Sequence, residues 1–298
     1  AVTANNGLFT SSASTASSSV VPATVPGAPT SVSASSTASG SATVTFTAPA
    51  SNGGSAITGY TITSSPAGAT CTVGANTTTY TCTGLTDGTA YTFAVVSVNS
   101  VGNSVAGSST TALTTQGAAS APTTISAVAG DSKATVTFSG TVANGSTITG
   151  YTVKAYDSTD NEVPGSTCTV TTANTGSFNC NITGLTNGSS YTFKAFTNST
   201  ANSTAVTSVA SIPTAVITPA KAPDAPTAVQ VTAGTGKISV SWEEPASNGA
   251  AITSYTVQAY DSAGAPITGA TCTVNAPTKT CDVSSNLVAG TNYTFKIT

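Results

Sequence analysis

Short stretches in which every second residue is apolar recur along the whole chain. Val44 and Phe46 alternate with Thr43, Thr45 and Thr47, and Tyr91 and Phe93 flank Thr92. Such alternation turns one face of a strand toward a core and leaves hydroxyls on the other. Clusters of Gly, Pro, Asn, Asp and Ser separate these runs and read as turns. No stretch carries a convincing amphipathic helical period. The expected fold is all-β.

The strands come in repeating sets. Ala42-Thr43-Val44-Thr45-Phe46 matches Ala134-Thr135-Val136-Thr137-Phe138 and, more loosely, Lys237 to Trp242. Ile57 to Ile62 matches Ile148 to Val153 and Ile252 to Val257. Gly84-Leu85-Thr86-Asp87-Gly88 matches Gly184 to Gly188 and, loosely, Asn286 to Gly290. Tyr191 follows Tyr91 by 100 residues and Tyr293 follows Tyr191 by 102. Each period holds five to seven candidate strands, and about one hundred residues with seven strands is the pattern of a β-sandwich.

The third period runs out after Ile297-Thr298, and the first thirty residues read as its continuation. Tyr91 to Thr123 spans 33 residues and Tyr191 to Thr227 spans 37; joining Thr298 to Ala1 gives 36 from Tyr293 to Thr30. The expected organisation is therefore a terminal strand segment, 1–24, that completes the last domain of a neighbouring unit. Domains at 25–117, 118–220 and 221–298 follow, the last lacking its final strand. Ala1, Val2, Phe9, Val20 and Val21 would meet Tyr293, Phe295 and Ile297 across units. The neighbour would be joined either covalently, as the next period of a long array, or by insertion of a strand from a separate subunit, since an open sheet edge demands a partner.

These units resemble the fibronectin type III domain over essentially the whole chain. The carriers are Ala-Pro entering the first strand (Ala28-Pro29, Ala121-Pro122, Ala225-Pro226) and the aromatic of the second (Phe46, Phe138, Trp242). Tyr60, Tyr151 and Tyr255 follow in the third strand, and the Gly-Leu-x-x-Gly-x-x-Tyr-x-Phe block comes after them. The resemblance implies that Leu85 and Leu185 pack inward and that Tyr91 and Tyr191 return their hydroxyls to the backbone as tyrosine corners. Gly140-Thr141 departs from the Pro that follows the second strand as Pro49 and Pro245.

Cysteine usage changes the picture further. Cys71/Cys82, Cys168/Cys180 and Cys272/Cys281 give one close pair per period, which favours three local disulfides and an oxidising, extracellular setting. Zinc would need four ligands per site, and the chain has no His. On the resemblance, the first Cys of each pair falls on a short strand after the third strand and the second on the next strand, so that a bridge ties the two sheets along one edge.

Only 6% of residues are charged, and Lys supplies all seven basic side chains. Without clustered basic charge, nucleic acid is not an expected partner. No apolar run of about twenty residues exists, so no membrane span is expected.

No cofactor and no enzymatic activity are expected. A Ser triad lacks its His base, and Glu243 and Glu244, as strand neighbours, point to opposite faces. Asp157, Asp160, Asn161 and Glu162 form the densest acidic cluster, read first as a polar turn and second as a Ca²⁺ ligand set. Asn76, Asn144, Asn181, Asn187, Asn198, Asn202 and Asn292 carry the glycosylation pattern at a frequency that Ser and Thr abundance alone would produce.

The function these features favour is a structural extracellular filament, stalk or adhesin shaft whose main partners are copies of itself, head to tail. Surface glycans, or ligands on a host or neighbouring cell, are secondary candidate partners. The alternative is a spacer or carbohydrate-associated array within a large secreted hydrolase.

Overall fold

In a computed structural model, residues 1–72 and 77–298 are described, Thr37 by its backbone alone. Asn76 lies outside the described residues. No helix occurs among them, and twenty-one strands build three sandwiches. The chain divides into two compact units. One is Ala1–Ala119 with the segments Ala143–Thr147 and Ser199–Val206; the other is the remainder.

The first sandwich contains β1 (Thr30–Ala38), β2 (Ser41–Thr47), β3 (Ile57–Ser65), β4 (Thr70–Thr72), β5 (Thr79–Thr83), β6 (Ala90–Asn99), β7 (Gly107–Ser108) and β8 (Leu113–Thr114). One sheet runs β1-β2-β5-β4; the other runs β3-β6-β7, with β8 also on β6. The alternation seen in the sequence is the alternation of burial: Ala42, Val44 and Phe46 are buried, while their neighbours face outward. Phe46 meets Tyr60 edge-on at 4.6 Å between ring centroids and stacks on Tyr80 at 5.7 Å. Edge-to-face and offset contacts of this kind add to the area that the rings bury.

The second sandwich has β9 (Thr124–Gly130), β10 (Lys133–Ser139), β11 (Thr147–Tyr156), β12 (Glu162–Thr171), β13 (Phe178–Thr183), β14 (Thr192–Ala201) and β15 (Thr204–Thr207). Its sheets run β13-β10-β9 and β12-β11-β14-β15. Phe138, Tyr151, Phe193, Val136, Val153 and Ile182 are almost fully buried between them.

The third has β16 (Thr227–Gly234), β17 (Lys237–Glu243), β18 (Ser254–Tyr260), β19 (Pro266–Asn275), β20 (Thr280–Val283) and β21 (Thr294–Ile297), in sheets β16-β17-β20 and β19-β18-β21. Trp242 and Tyr255 meet edge-on at 5.2 Å in its core. The core aromatics expected from the sequence (Phe46, Phe138, Trp242, Tyr91 and Tyr191) are all buried.

Two expectations about the cysteines need correction. In the first sandwich, Cys71 on β4 and Cys82 on β5 are direct cross-strand neighbours in one sheet, so their disulfide does not tie the two sheets. The strand carrying the first Cys is short only there, because the Ser65-Pro66-Ala67-Gly68-Ala69 segment leads from β3 across to the other sheet. In the other two sandwiches a tight turn returns the chain along β11 or β18, and the strand becomes ten residues long. Cys168–Cys180 and Cys272–Cys281 then bridge opposite sheets. The turn residues explain the difference. The Asp157 carboxylate accepts from the amides of Thr159 and Asn161, and Asp261 does the same for Ala263 and Ala265. Such Asx turns reverse the chain within one sheet. Each disulfide joins cysteines 9 to 12 positions apart, a loop closure worth about 2–3 kcal/mol in the chain-entropy model.

Candidate functional site

The loops ahead of β6, β14 and β21 share one device. The Thr86 amide donates to the Tyr91 hydroxyl at 3.1 Å, Thr186 to Tyr191 at 3.1 Å, and Val288 to Tyr293 at 2.6 Å. These are the three tyrosine corners. Beside them, Asp87 clamps the β1–β2 turn by accepting from the Gly40 amide at 2.9 Å and the Ser39 hydroxyl at 2.5 Å. Partial burial opposes its ionisation, but the bonds from Ser39 and Gly40 outweigh that and hold the carboxyl below its ordinary value of 3.8. Asn187 makes the neutral version of this clamp on Ser132, and the third sandwich has Ala289 at that level.

The acidic cluster does not gather around a common point. Asp157 caps its turn, Asp160 pairs with Lys194 at 2.7 Å, and Glu162 pairs with Lys154 at 2.9 Å. This is the arrangement of a polar hairpin. Glu243 and Glu244 are both exposed at the end of β17. The side chains of Asn144, Asn181, Asn187, Asn198 and Asn202 are engaged in hydrogen bonds within the fold.

The unusual chemistry lies in the last strands. In the second sandwich, Ser208, Ser211 and Thr214 face Thr197, Ala195 and Phe193 on β14. Each donates its amide to the facing carbonyl at 2.9–3.0 Å. Its hydroxyl then accepts the facing amide at 2.9–3.1 Å. A hydroxyl stands where a backbone carbonyl would normally accept. Hence the last segment advances three residues for every two of β14, and Pro213 fits between the bonded positions. The first sandwich uses the device at Ser104 facing Ser97 and at Ser109 facing Phe93.

Residues 2–14 reproduce it without a sandwich around them. Ser11 donates to the Ala4 carbonyl at 2.9 Å and accepts from the Ala4 amide at 3.0 Å; Ser14 and Val2 do the same at 3.0 Å each way. The turn copies the one after β6. Asn99 accepts from Val101 and Gly102, Asn6 accepts from Leu8 and Phe9, and the bridge Val98–Asn103 has its counterpart in Asn5–Thr10. The hairpin at the start of the chain therefore has the bonding of the last two strands of a sandwich. Val2, Leu8, Phe9, Val20 and Val21 are 77–85% exposed, and Ala1 is exposed too.

At the other end, β21 is paired by β18. Tyr293 and Phe295 are half-buried, whereas Tyr191 and Phe193 at the matching positions are 7% and 0% exposed; Ile297 is 9% exposed. The inter-unit residues expected from the sequence thus fall on an exposed hairpin with its tail and on a half-covered strand. Sequence reasoning missed Ser11 and Ser14, whose signal is their spacing of three, and Leu8 beside Phe9.

A tandem series of disulfide-bonded, immunoglobulin-like sandwiches with tyrosine corners defines the class. The fibronectin type III domain model matches residues 27–113, 120–210 and 224–298. The chain belongs to the fibronectin type III family. Among solved structures it is similar to the FN1–FN3 domains of chicken CNTN1, with 19% identity and a TM-score of 0.42 over 92% of this chain and 93% of that one. No curated protein matches its sequence.

Proposed function

We propose that this repeat array is a structural, extracellular filament or shaft in which successive copies join head to tail. Residues 1–21 of one copy complete the third sandwich of the copy before it. The observation that carries this reading is the shared bonding pattern of residues 2–14 and the last strands of the other sandwiches. The spacing extends the correspondence. Ser208, Ser211, Thr214 and Ile217 precede Pro219 by eleven, eight, five and two residues; Ser11, Ser14, Ser17 and Val20 precede Pro22 by the same steps. Ile217 exchanges backbone bonds with Tyr191, so Val20 would face Tyr293 and Ser17 would face Phe295. Val2 and Ile297 then compete for one level, which sets where β21 ends and the incoming strand begins.

Completion would cover the half-exposed Tyr293 and Phe295 and the apolar residues now facing solvent at Val20 and Val21. Burial of apolar area at about 25 cal/mol per Å² provides the driving force. An interface that joins unlike surfaces of identical chains propagates into a filament. Disulfides suit the oxidising environment outside the cell, and a surface that holds few charges makes assembly insensitive to salt.

The test is intact mass of the natural material, boiled in denaturant with and without reductant. A species near 28.7 kDa from a polymer of much larger native mass supports strand exchange between subunits. A much larger species in both conditions supports one covalent array. Material that is monomeric under native conditions and near 28.7 kDa when denatured overturns the filament.

A further inference from the structure

The glycine within the tyrosine-corner loop is seated twice in the chain, by the same parts. The Gly88 amide donates to the Thr115 carbonyl at 2.9 Å, and the Gly188 amide donates to the Pro219 carbonyl at 2.9 Å. Against each lies a glycine from an Asn-Gly turn. A Cβ on Gly145 would lie 2.5 Å from the Thr115 oxygen and 3.1 Å from the Gly88 nitrogen. A Cβ on Gly249 would lie 2.6 Å from the Pro219 oxygen and 2.5 Å from the Gly188 nitrogen. No side chain fits at either place.

The segment after each acceptor is fastened to the same turn in the same way. Two residues past it, Gly117 donates to the Asn144 carbonyl and Lys221 to that of Asn248, at 3.1 Å each. Three residues further, Ser120 donates to Val142 and Asp224 to Ala246.

The first sandwich holds one half of a third such seat. Thr24 donates to the Gly53 carbonyl at 2.7 Å and Gly27 to that of Ser51 at 2.9 Å. On this spacing Gly54 stands where Gly145 and Gly249 stand, and Pro22 stands where Thr115 and Pro219 stand. A Cβ on Gly54 would indeed meet the Pro22 carbonyl at 2.9 Å.

The other half is in the third sandwich. Gly290 has φ +84°, against +80° for Gly88 and +85° for Gly188, yet, its chain neighbours aside, none of the described residues lies within 4 Å of the place of its Cβ. Beside it opens a groove of about 340 Å³ lined by Leu287, Val288, Ala289 and Tyr293 among others.

We infer that Gly290 of one copy is seated on Gly54 of the next copy, its amide donating to the Pro22 carbonyl. This rests on the subunit form of the head-to-tail reading and adds to the strand exchange a second, rigid contact that sets the angle between copies. Side-chain sizes agree with it. Where Asp87 stands, the linker offers Gly117, and a Cβ there would lie 2.2 Å from the carboxylate. Where Ala289 stands, the linker residue at that level is Thr24, so the larger group has moved to the other partner. The occupant is a second copy of this chain, because the other two places that carry this acceptor and turn, Thr115 with Gly145 and Pro219 with Gly249, are already filled by Gly88 and Gly188.

The test is assembly of the full chain, followed by light scattering against concentration, for the wild type, Gly290→Asn and Gly264→Asn. Asn tolerates the left-handed backbone, so strain is small and equal at both sites. Gly264 has φ +80° and open space around it, which makes it the control. The expected result is that Gly264→Asn assembles like the wild type, while Gly290→Asn needs at least about tenfold more protein for the same polymer mass, the loss of roughly one hydrogen bond. Equal assembly of all three overturns the seat and leaves strand exchange standing. A wild type that stays monomeric at every concentration overturns both.

Discussion

The second and third sandwiches share their strand order, their Asx turn and a disulfide that crosses between sheets, but differ in one neighbour. On β14, the segment Ser208–Ile217 covers Tyr191 and Phe193 and satisfies their amides. On β21, the same Tyr-Thr-Phe-Lys sequence is half-buried. Identical residues therefore have different values in the two domains. A strand's contribution depends on what lies across from it more than on its own composition, as expected when sheet stability comes from pairing and burial.

The sharpest way to break this comparison is to truncate the matched aromatics. Phe193→Ala should cost the second sandwich about 3–5 kcal/mol, the usual loss for a fully buried Phe. Phe295→Ala in the unassembled chain should cost less than half of that. Amide exchange followed separately on β14 and β21 checks it, and equal losses would refute the claim that the missing neighbour devalues the strand. In assembled material the two costs should converge.

A smaller effect is expected from pH, and it separates the three corner loops. Asp87, its folded pKa held below 3.8, stabilises the first sandwich at pH values above the ordinary carboxylate range. That contribution is lost as pH falls through the lowered folded value, because the unfolded chain then binds a proton more readily than the folded one. Asn187 and Ala289 cannot titrate at the matching places. Thermal melting from neutral pH down to about pH 2 should show acid loss in the first sandwich that Asp87→Asn flattens. Asn187→Asp should not introduce the same acid sensitivity into the second, because the Asn187 amide donates to the Asp131 carboxylate at 2.8 Å and an aspartate there would be repelled by it. An unchanged acid slope in Asp87→Asn would mean that other carboxylates carry it.

The smallest effect concerns two buried hydroxyls. Tyr151 donates to the Asn174 carbonyl at 2.8 Å, whereas the Tyr255 hydroxyl is buried without a hydrogen-bond partner among the described residues. Tyr151→Phe should cost about 1 kcal/mol, and Tyr255→Phe should be neutral or slightly stabilising. Denaturant midpoints of the two variants decide it. A clear loss in Tyr255→Phe would reveal a partner for that hydroxyl.

Much of the molecule was legible in the residues themselves. Alternation located the strands, since burial follows side-chain parity along an extended chain, and the Gly-Leu-x-x-Gly-x-x-Tyr-x-Phe block located the corners because its roles are local. The cysteine pairs were legible for the same reason, being close in sequence. Less legible was where the Cys71 strand would go. Whether β4 joins one sheet or the other depends on the turn that precedes it and on which edge is free, and neither is a property of the strand. The serine ladder escaped notice because a spacing of three within Ser/Thr-rich sequence resembles composition until a facing strand gives it partners.

Sequence alone thus determined the fold class, the threefold repetition, the core aromatics and the local cysteine pairs, all of which rest on side-chain parity or on neighbours a few residues away. Only the tertiary structure decided which disulfides cross between sheets, which hydroxyls replace carbonyls, and which glycines must stay bare. Those depend on groups distant in the chain approaching within a bond length or two, and no linear pattern encodes that distance.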